Sequence, residues 1–204
     1  MDSVARGSTV LDLGCGMGRN AIPLARAGMR VTCVDASGAT CARVRESAKA
    51  LSLDMIVVRE DMLAFDLSHT YDVVIAHGVL HLLPRQGRQE LLLHVKHQPT
   101  AGGLNVLAVF TDRLPAPPDL ADEFIGLFGE GELSAVYADW AIELEQAYAL
   151  EDEHGDGIKH VHPVNKLVAR KPVAAASAGE QAHRADGVSA RLMSRKGRRS
   201  CARR

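Results

Sequence analysis

Short apolar runs alternate along this chain with longer stretches in which apolar residues recur every three or four positions. The runs are Thr9-Val10-Leu11, Val31-Thr32-Cys33-Val34, Met55-Ile56-Val57-Val58, Tyr71-Asp72-Val73-Val74-Ile75-Ala76 and Leu104–Phe110. They predict strands over about residues 8–13, 30–34, 55–59, 71–76 and 104–110. The fourth run is continuously apolar, as expected of a strand covered on both faces. The stretches between them predict helices. One lies near 18–28, with Ile22, Leu24 and Ala25 apolar and Gly28 at its end. The next lies near 38–51, with Ser37 as its cap and Val44, Ala48 and Leu51 on one face. The third, near 85–96, carries Leu91, Leu92 and Val95.

The pattern changes after the fifth strand. Residues 112–130 hold Pro115, Pro117 and Pro118 among acids, then Phe124-Ile125-Gly126-Leu127-Phe128. They read either as a surface connection or as a flap over the carboxyl edge of the sheet. A short helix near 131–138 follows, then strands over 140–150 and 159–169, joined by the turn-rich link 151–157 as a hairpin. Strands alternating with helices predict an α/β fold. The expected architecture is a single doubly wound, Rossmann-like domain, with a seven-stranded, mostly parallel sheet closed by a C-terminal antiparallel hairpin.

The 204 residues suit one domain. Aromatic residues are only 4% of the chain, so the core rests on Leu, Val, Ile and Ala. Charge is unevenly spread. Residues 171–204 hold nine Lys/Arg and two acids, which leaves the rest of the chain at a net charge of −8. An acidic body gives no support for a nucleic-acid partner. The basic end has no apolar periodicity, so 172–204 reads as a disordered extension of a domain over 1–171. No apolar stretch is long enough to span a membrane, and the N-terminus lacks a signal peptide's apolar centre. The four cysteines have no C-x-x-C spacing and fit the reduced thiols of a cytoplasmic protein.

The chemistry concentrates where the first strand ends. Asp12-Leu13-Gly14-Cys15-Gly16-Met17-Gly18-Arg19-Asn20 places an acid before three alternating glycines. Such a loop between a parallel strand and a helix is a nucleotide-cofactor site. The glycines are spaced G-x-G-x-G, not the G-x-G-x-x-G of a nicotinamide-dependent oxidoreductase. Two further strands also end in acids. Asp35, 17 positions beyond Gly18, is placed to accept from both ribose hydroxyls, with Ala36 beside it. Asp61 and Met62 follow the third strand.

This constellation resembles motif I and its partners in the class I S-adenosylmethionine (SAM)-dependent methyltransferases. From the glycine loop to Lys171 the chain is similar to their tellurite-resistance-type, small-substrate branch. The resemblance is carried by Asp12–Asn20, Tyr71-Asp72, Gly102-Gly103, Phe128-Gly129-Glu130-Gly131-Glu132-Leu133 before Tyr137 and Trp140, and Lys166-Leu167-Val168-Ala169-Arg170-Lys171. It implies SAM as cofactor, held by Asp12, Gly14, Cys15, Gly16, Gly18, Arg19, Asn20, Asp35, Ala36, Asp61, Met62, Ala76 and His77. Asp61 would accept from the adenine amino group and Met62 would pack on the ring. The acceptor implied is a small soft nucleophile, such as a thiol, selenium or tellurium species. A methyltransferase acting on N or O, and a non-catalytic SAM-binding protein, are the alternatives.

Two departures from that family matter. About seven residues precede the first strand where the family usually has a helical segment over SAM, implying either a truncated chain or a more open site. Ala149-Leu150-Glu151-Asp152 stands where the family has basic and His residues, which argues against tellurite itself.

Histidines supply the remaining candidates. His77 and His81 follow the fourth strand, on the acceptor side, and are the candidate catalytic residues. His154, His160 and His162 cluster near the hairpin without a compact ligand motif, so no metal site is assigned. Cys15 reads as packing within the loop. The chain carries no signal for an oligomeric state.

Overall fold

The computed structural model describes residues 4–153 and 158–173. The sequence expectation for 172–204, and that for His154, lie largely or wholly outside these residues. Five parallel strands form the centre: β1 (Thr9–Leu13), β2 (Arg30–Asp35), β3 (Met55–Arg59), β4 (Tyr71–His77) and β5 (Pro99–Phe110). β6 (Ala141–Glu153) and β7 (Lys159–Arg170) complete one seven-stranded sheet in the order β3-β2-β1-β4-β5-β7-β6. β7 runs antiparallel to both β5 and β6. This is the doubly wound sheet with a C-terminal hairpin that the alternation predicts.

The helices are α1 (Ala21–Arg26), α2 (Gly38–Ala50), α3 (Arg85–His97) and α4 (Glu132–Val136). The strands alternate their side chains between the two faces. Val10, Cys33, Val73 and Ile75 pack with Ala21, Leu24 and Ala25 of α1 and Val44 of α2. Leu11, Leu13, Val74, Ala76, Leu107 and Leu167 pack on the other face with Leu91, Leu92 and Val95 of α3, and with Phe128, Leu133 and Tyr137. The chain moves outward from β1 to β3, then returns to place β4 on the other side of β1. That reversal opens a crevice at the carboxyl ends of β1 and β4, where ligands bind in such sheets.

Several boundaries differ from expectation. α1 starts at Ala21 rather than near 18, because three positive-φ glycines hold 14–18 as a loop, closed by Gly18 N–H donating to Cys15 O at 3.0 Å. α4 is also shorter than expected. β5 begins at Pro99, not Leu104, so Gly102 and Gly103 lie inside the strand, at a register shift against Tyr71 and Val73. β6 runs on to Glu153, because hairpin pairing with β7 continues through Glu153 opposite Lys159 and takes in the first three residues of the expected link. α2 begins as its sequence suggests, with the Ser37 hydroxyl accepting from Thr40 N–H at 3.2 Å.

Candidate active site

The glycine loop is tied to β2, its neighbour. Gly14 and Cys15 both donate backbone N–H groups to Val34 O, at 2.8 and 3.1 Å. The Asp35 carboxylate then takes Gly16 N–H on one oxygen and Ser37 N–H on the other, both at 2.9 Å. A carboxylate oxygen has more than one lone pair, so Asp35 retains acceptor capacity toward the crevice while it fixes the loop.

The three loop glycines serve different ends. A Cβ on Gly14 would lie 2.3 Å from Val79 Cγ1, and one on Gly18 would lie 2.9 Å from Ile22 Cδ1. Those two glycines allow close packing. Gly16 has φ +50°, and a Cβ there would meet no atom within 4 Å. Gly78, just after β4, has φ +76° and equally open surroundings. Glycine is therefore required at these two positions by backbone conformation, and both leave free space at the crevice.

Asp12 stands on β1, two residues before Gly14. It is 1% exposed, and neither carboxylate oxygen has a hydrogen-bond partner. Burial pushes its pKa up to about 7; the nearby backbone N–H of Ala21, short of hydrogen-bond geometry, opposes this only in part, and the charge of Asp35 adds to it. A buried carboxyl without partners is costly unless something cationic or proton-donating completes it. An orphaned acid at the foot of a glycine loop, with a strand-end carboxylate close enough for its charge to be felt, fits a cofactor that carries positive charge and a ribose.

The other expected contacts are spread around this centre. Ala76 is buried at the end of β4, and Cys15 is buried in the loop. The Cys15 thiol is held far above its usual range by a hydrogen bond with Cys33 and by burial, which fits packing and not nucleophilic attack. Arg19 and Ala36 are exposed, and Asn20 is half-buried at the start of α1. Asp61 is exposed and its carboxylate already accepts from Leu63 N–H at 2.9 Å, shaping the turn after β3. Met62 is half-buried against the core.

The two acceptor-side histidines part company. His77 is the last residue of β4, half-buried at the crevice. Burial lowers its pKa, as do the charges of Lys166 and Arg19. His81 is 1% exposed in the turn Leu80–Leu82. Its Nδ1 accepts from Phe110 N–H at 3.2 Å, and burial, with His162 nearby, lowers its pKa to about 3. Phe110 is sandwiched between the rings of His81 and His162, with centroids at 4.1 and 4.6 Å, and Phe124 meets all three edge-on. His81 is thus a neutral packing residue, and the structure does not bring it to the crevice with His77.

Phe124 belongs to the segment 112–130, which packs over this stack. Gly126 N–H donates to His81 O at 3.0 Å, and Asp119 pairs with His160 at 3.0 Å. The far end is held by Arg88, fully buried, which forms two hydrogen bonds to Glu132 at 2.7 and 3.1 Å and lies 3.8 Å above the Phe128 ring. Among the described residues no group of three or more His, Cys, Asp or Glu is arranged to hold a metal. Lys166, whose charge reaches the His77 ring, is a neighbour of the crevice that sequence reasoning passed over. Its only signal was a cation on the inner strand of the hairpin.

Residues 10–103 match the family model described as a methyltransferase domain. The chain is 31% identical over 160 residues to a protein of Haemophilus influenzae named as the probable SAM-dependent methyltransferase TehB, a match covering 74% of this chain and 53% of that protein. The crystal structure of TehB from Haemophilus influenzae superimposes with a TM-score of 0.73 at 26% identity, over 81% of this chain and 58% of that one. Magnesium protoporphyrin IX methyltransferase from Synechocystis PCC 6803, crystallised with bound SAM, shares the fold at a TM-score of 0.63 and 20% identity, over 83% of this chain and 73% of that one. The chain spans about half the length of the curated TehB relatives it matches. Residues 10–103 thus match a methyltransferase domain, and the chain resembles the class I SAM-dependent methyltransferases and their tellurite-resistance-type branch.

Proposed function

We propose that this chain binds SAM across the carboxyl ends of β1, β2 and β4 and directs methyl transfer to a small soft nucleophile, a thiol, selenium or tellurium species. The observation that carries this reading is Asp12, a buried acid without partners at the foot of the loop in which Gly16 leaves open space. Bound there, the cofactor supplies an activated methyl on a sulfonium. Asp12 offers a carboxylate to the positive charge of the methionine portion. Asp35 keeps a lone pair on each oxygen for the ribose hydroxyls, and its bond to Gly16 N–H keeps the loop in register with that contact. Asp61 and Met62 take the adenine end. Gly16 and Gly78 let the backbone approach without a side chain in the way. Arg19, Asn20, Cys15, Ala36 and Ala76 complete the surroundings.

The task left to the protein is alignment and exclusion of water. A thiolate or selenolate needs no base in the transfer itself. The substrate partner is therefore small and soft. Thiols are expected to react faster than tellurite, because Glu151 and Asp152 stand exposed on the hairpin beyond the end of β5. An N- or O-acceptor is a second reading, favoured by His77, a half-buried imidazole kept neutral at physiological pH and so free to take a proton. The described cysteines, Cys15, Cys33 and Cys41, are free thiols, which suits a reducing compartment such as the cytoplasm. No helix of the described residues is long and apolar enough to cross a membrane.

Incubation with methyl-labelled SAM and a panel of thiols, selenide, tellurite, amines and alcohols tests the reading. Label transfer to thiol or selenide supports it. SAM binding without transfer to any of them would make the chain a non-catalytic SAM-binding protein.

A further inference from the structure

Lys166 is a half-buried cation on β7. It stands opposite Ala108 of β5, which stands opposite His77 of β4. Paired residues share a face of the sheet, so Lys166, Ala108 and His77 form a row on the face that also carries Asp12 and Ile75. Arg19 approaches from the glycine loop, and both cations act on the His77 ring. Among the described residues neither Lys166 nor Arg19 has a hydrogen-bond or ion-pair partner. A half-buried lysine with no counter-ion, its charge converging with a second cation on the His77 ring, leaves room for an anion at the mouth of the crevice.

We infer that Lys166 is a specificity-determining residue that binds the methyl acceptor in its anionic form, with Arg19 assisting from the opposite wall. The inference rests on the methyl-transfer reading. A thiol acceptor loses its proton to solvent, and its thiolate settles beside the ammonium. A sulfur lone pair then forms the new S–C bond as the bond from the methyl carbon to the sulfonium breaks, with that pair staying on the departing sulfur. Anion and cation become two neutral products, so the thiolate's charge shrinks along the path. Lys166 therefore stabilises the bound thiolate more than the transition state, so its loss raises KM and does not lower kcat.

Thiophenol and dimethyl sulfide separate this role from a merely structural one, since the second is a neutral sulfur nucleophile. Lys166→Met is expected to raise KM for thiophenol about tenfold more than KM for dimethyl sulfide, the scale of one charge-assisted contact. Calorimetric binding of thiophenol to the complex with S-adenosylhomocysteine should weaken in parallel, and Lys166→Arg should restore most of the loss. Equal effects on both acceptors, no effect on either, or a fall in SAM affinity of the same size would overturn the assignment. If the unmutated protein methylates no acceptor, the methyl-transfer reading itself fails. If it methylates both and Lys166→Met leaves their KM ratio unchanged, only the role of Lys166 fails.

Discussion

Asp35 accepts the backbone N–H of Gly16 at 2.9 Å, across 19 residues of sequence, so the acid at the end of β2 fixes the loop at the end of β1. The same carboxylate takes Ser37 N–H. Asp35 thus serves the fold and, in the proposed SAM site, the ligand as well. Asp35→Ala should weaken SAM binding by on the order of 1.5–3 kcal/mol through lost charged hydrogen bonds. It should also lower the melting temperature by a few degrees, because two backbone donors lose their acceptor. Calorimetry and thermal melting on the same variant measure the two effects. Normal SAM binding by the variant would reduce Asp35 to a turn residue.

The glycines permit a sharper separation. Gly14→Ala drives a Cβ to 2.3 Å from Val79 and should destabilise the domain with or without ligand. Gly16→Val meets open space in the free protein, so its stability cost is the positive φ alone, about 1–2 kcal/mol. Its loss of SAM binding should be complete, because the branch fills the cradle. A Gly16→Val protein that melts near the parent temperature and still binds SAM would remove the cradle from the account.

How far the sequence carried the structure is visible in these residues. The strands, their order of appearance and the three strand-end acids were legible from apolar runs and local punctuation. The different jobs of Gly14 and Gly16 were not, because they depend on Val79, which no local pattern connects to the loop. His77 and His81 look alike in sequence, and only packing by Phe110 and Phe124 separates them. Lys166 gained its meaning from β5–β7 register, which a hairpin prediction leaves unspecified.

Asp12 makes stability and binding depend on pH in opposite senses. Its pKa is raised to about 7, so the folded protein holds a proton that the unfolded chain releases near pH 4. Unliganded stability should therefore fall as pH rises from about 4 to 7, by on the order of 4 kcal/mol. SAM carries net positive charge and favours the ionised acid. Its affinity should rise over the upper part of that window, with proton release on binding. Asp12→Asn should flatten both profiles. Melting curves and calorimetry in buffers of different ionisation enthalpy provide the check; a flat stability profile in the unliganded parent would mean that Asp12 is ionised throughout.

His81 should matter to stability and not to proton chemistry. With a pKa near 3 it does not titrate in the neutral range. His81→Ala removes a stacked ring from the cluster with Phe110, Phe124 and His162 and should cost about 2–4 kcal/mol of stability. The pH dependence of turnover should keep its shape. A shifted pH–rate profile would return His81 to the catalytic machinery.

Titration calorimetry decides whether the crevice at the Gly16 loop is a SAM site. Micromolar binding of SAM and of S-adenosylhomocysteine, lost in Gly16→Val while the fold persists, is the predicted result. Binding of NAD as tight as that of SAM, or SAM binding indifferent to Gly16→Val, would contradict it.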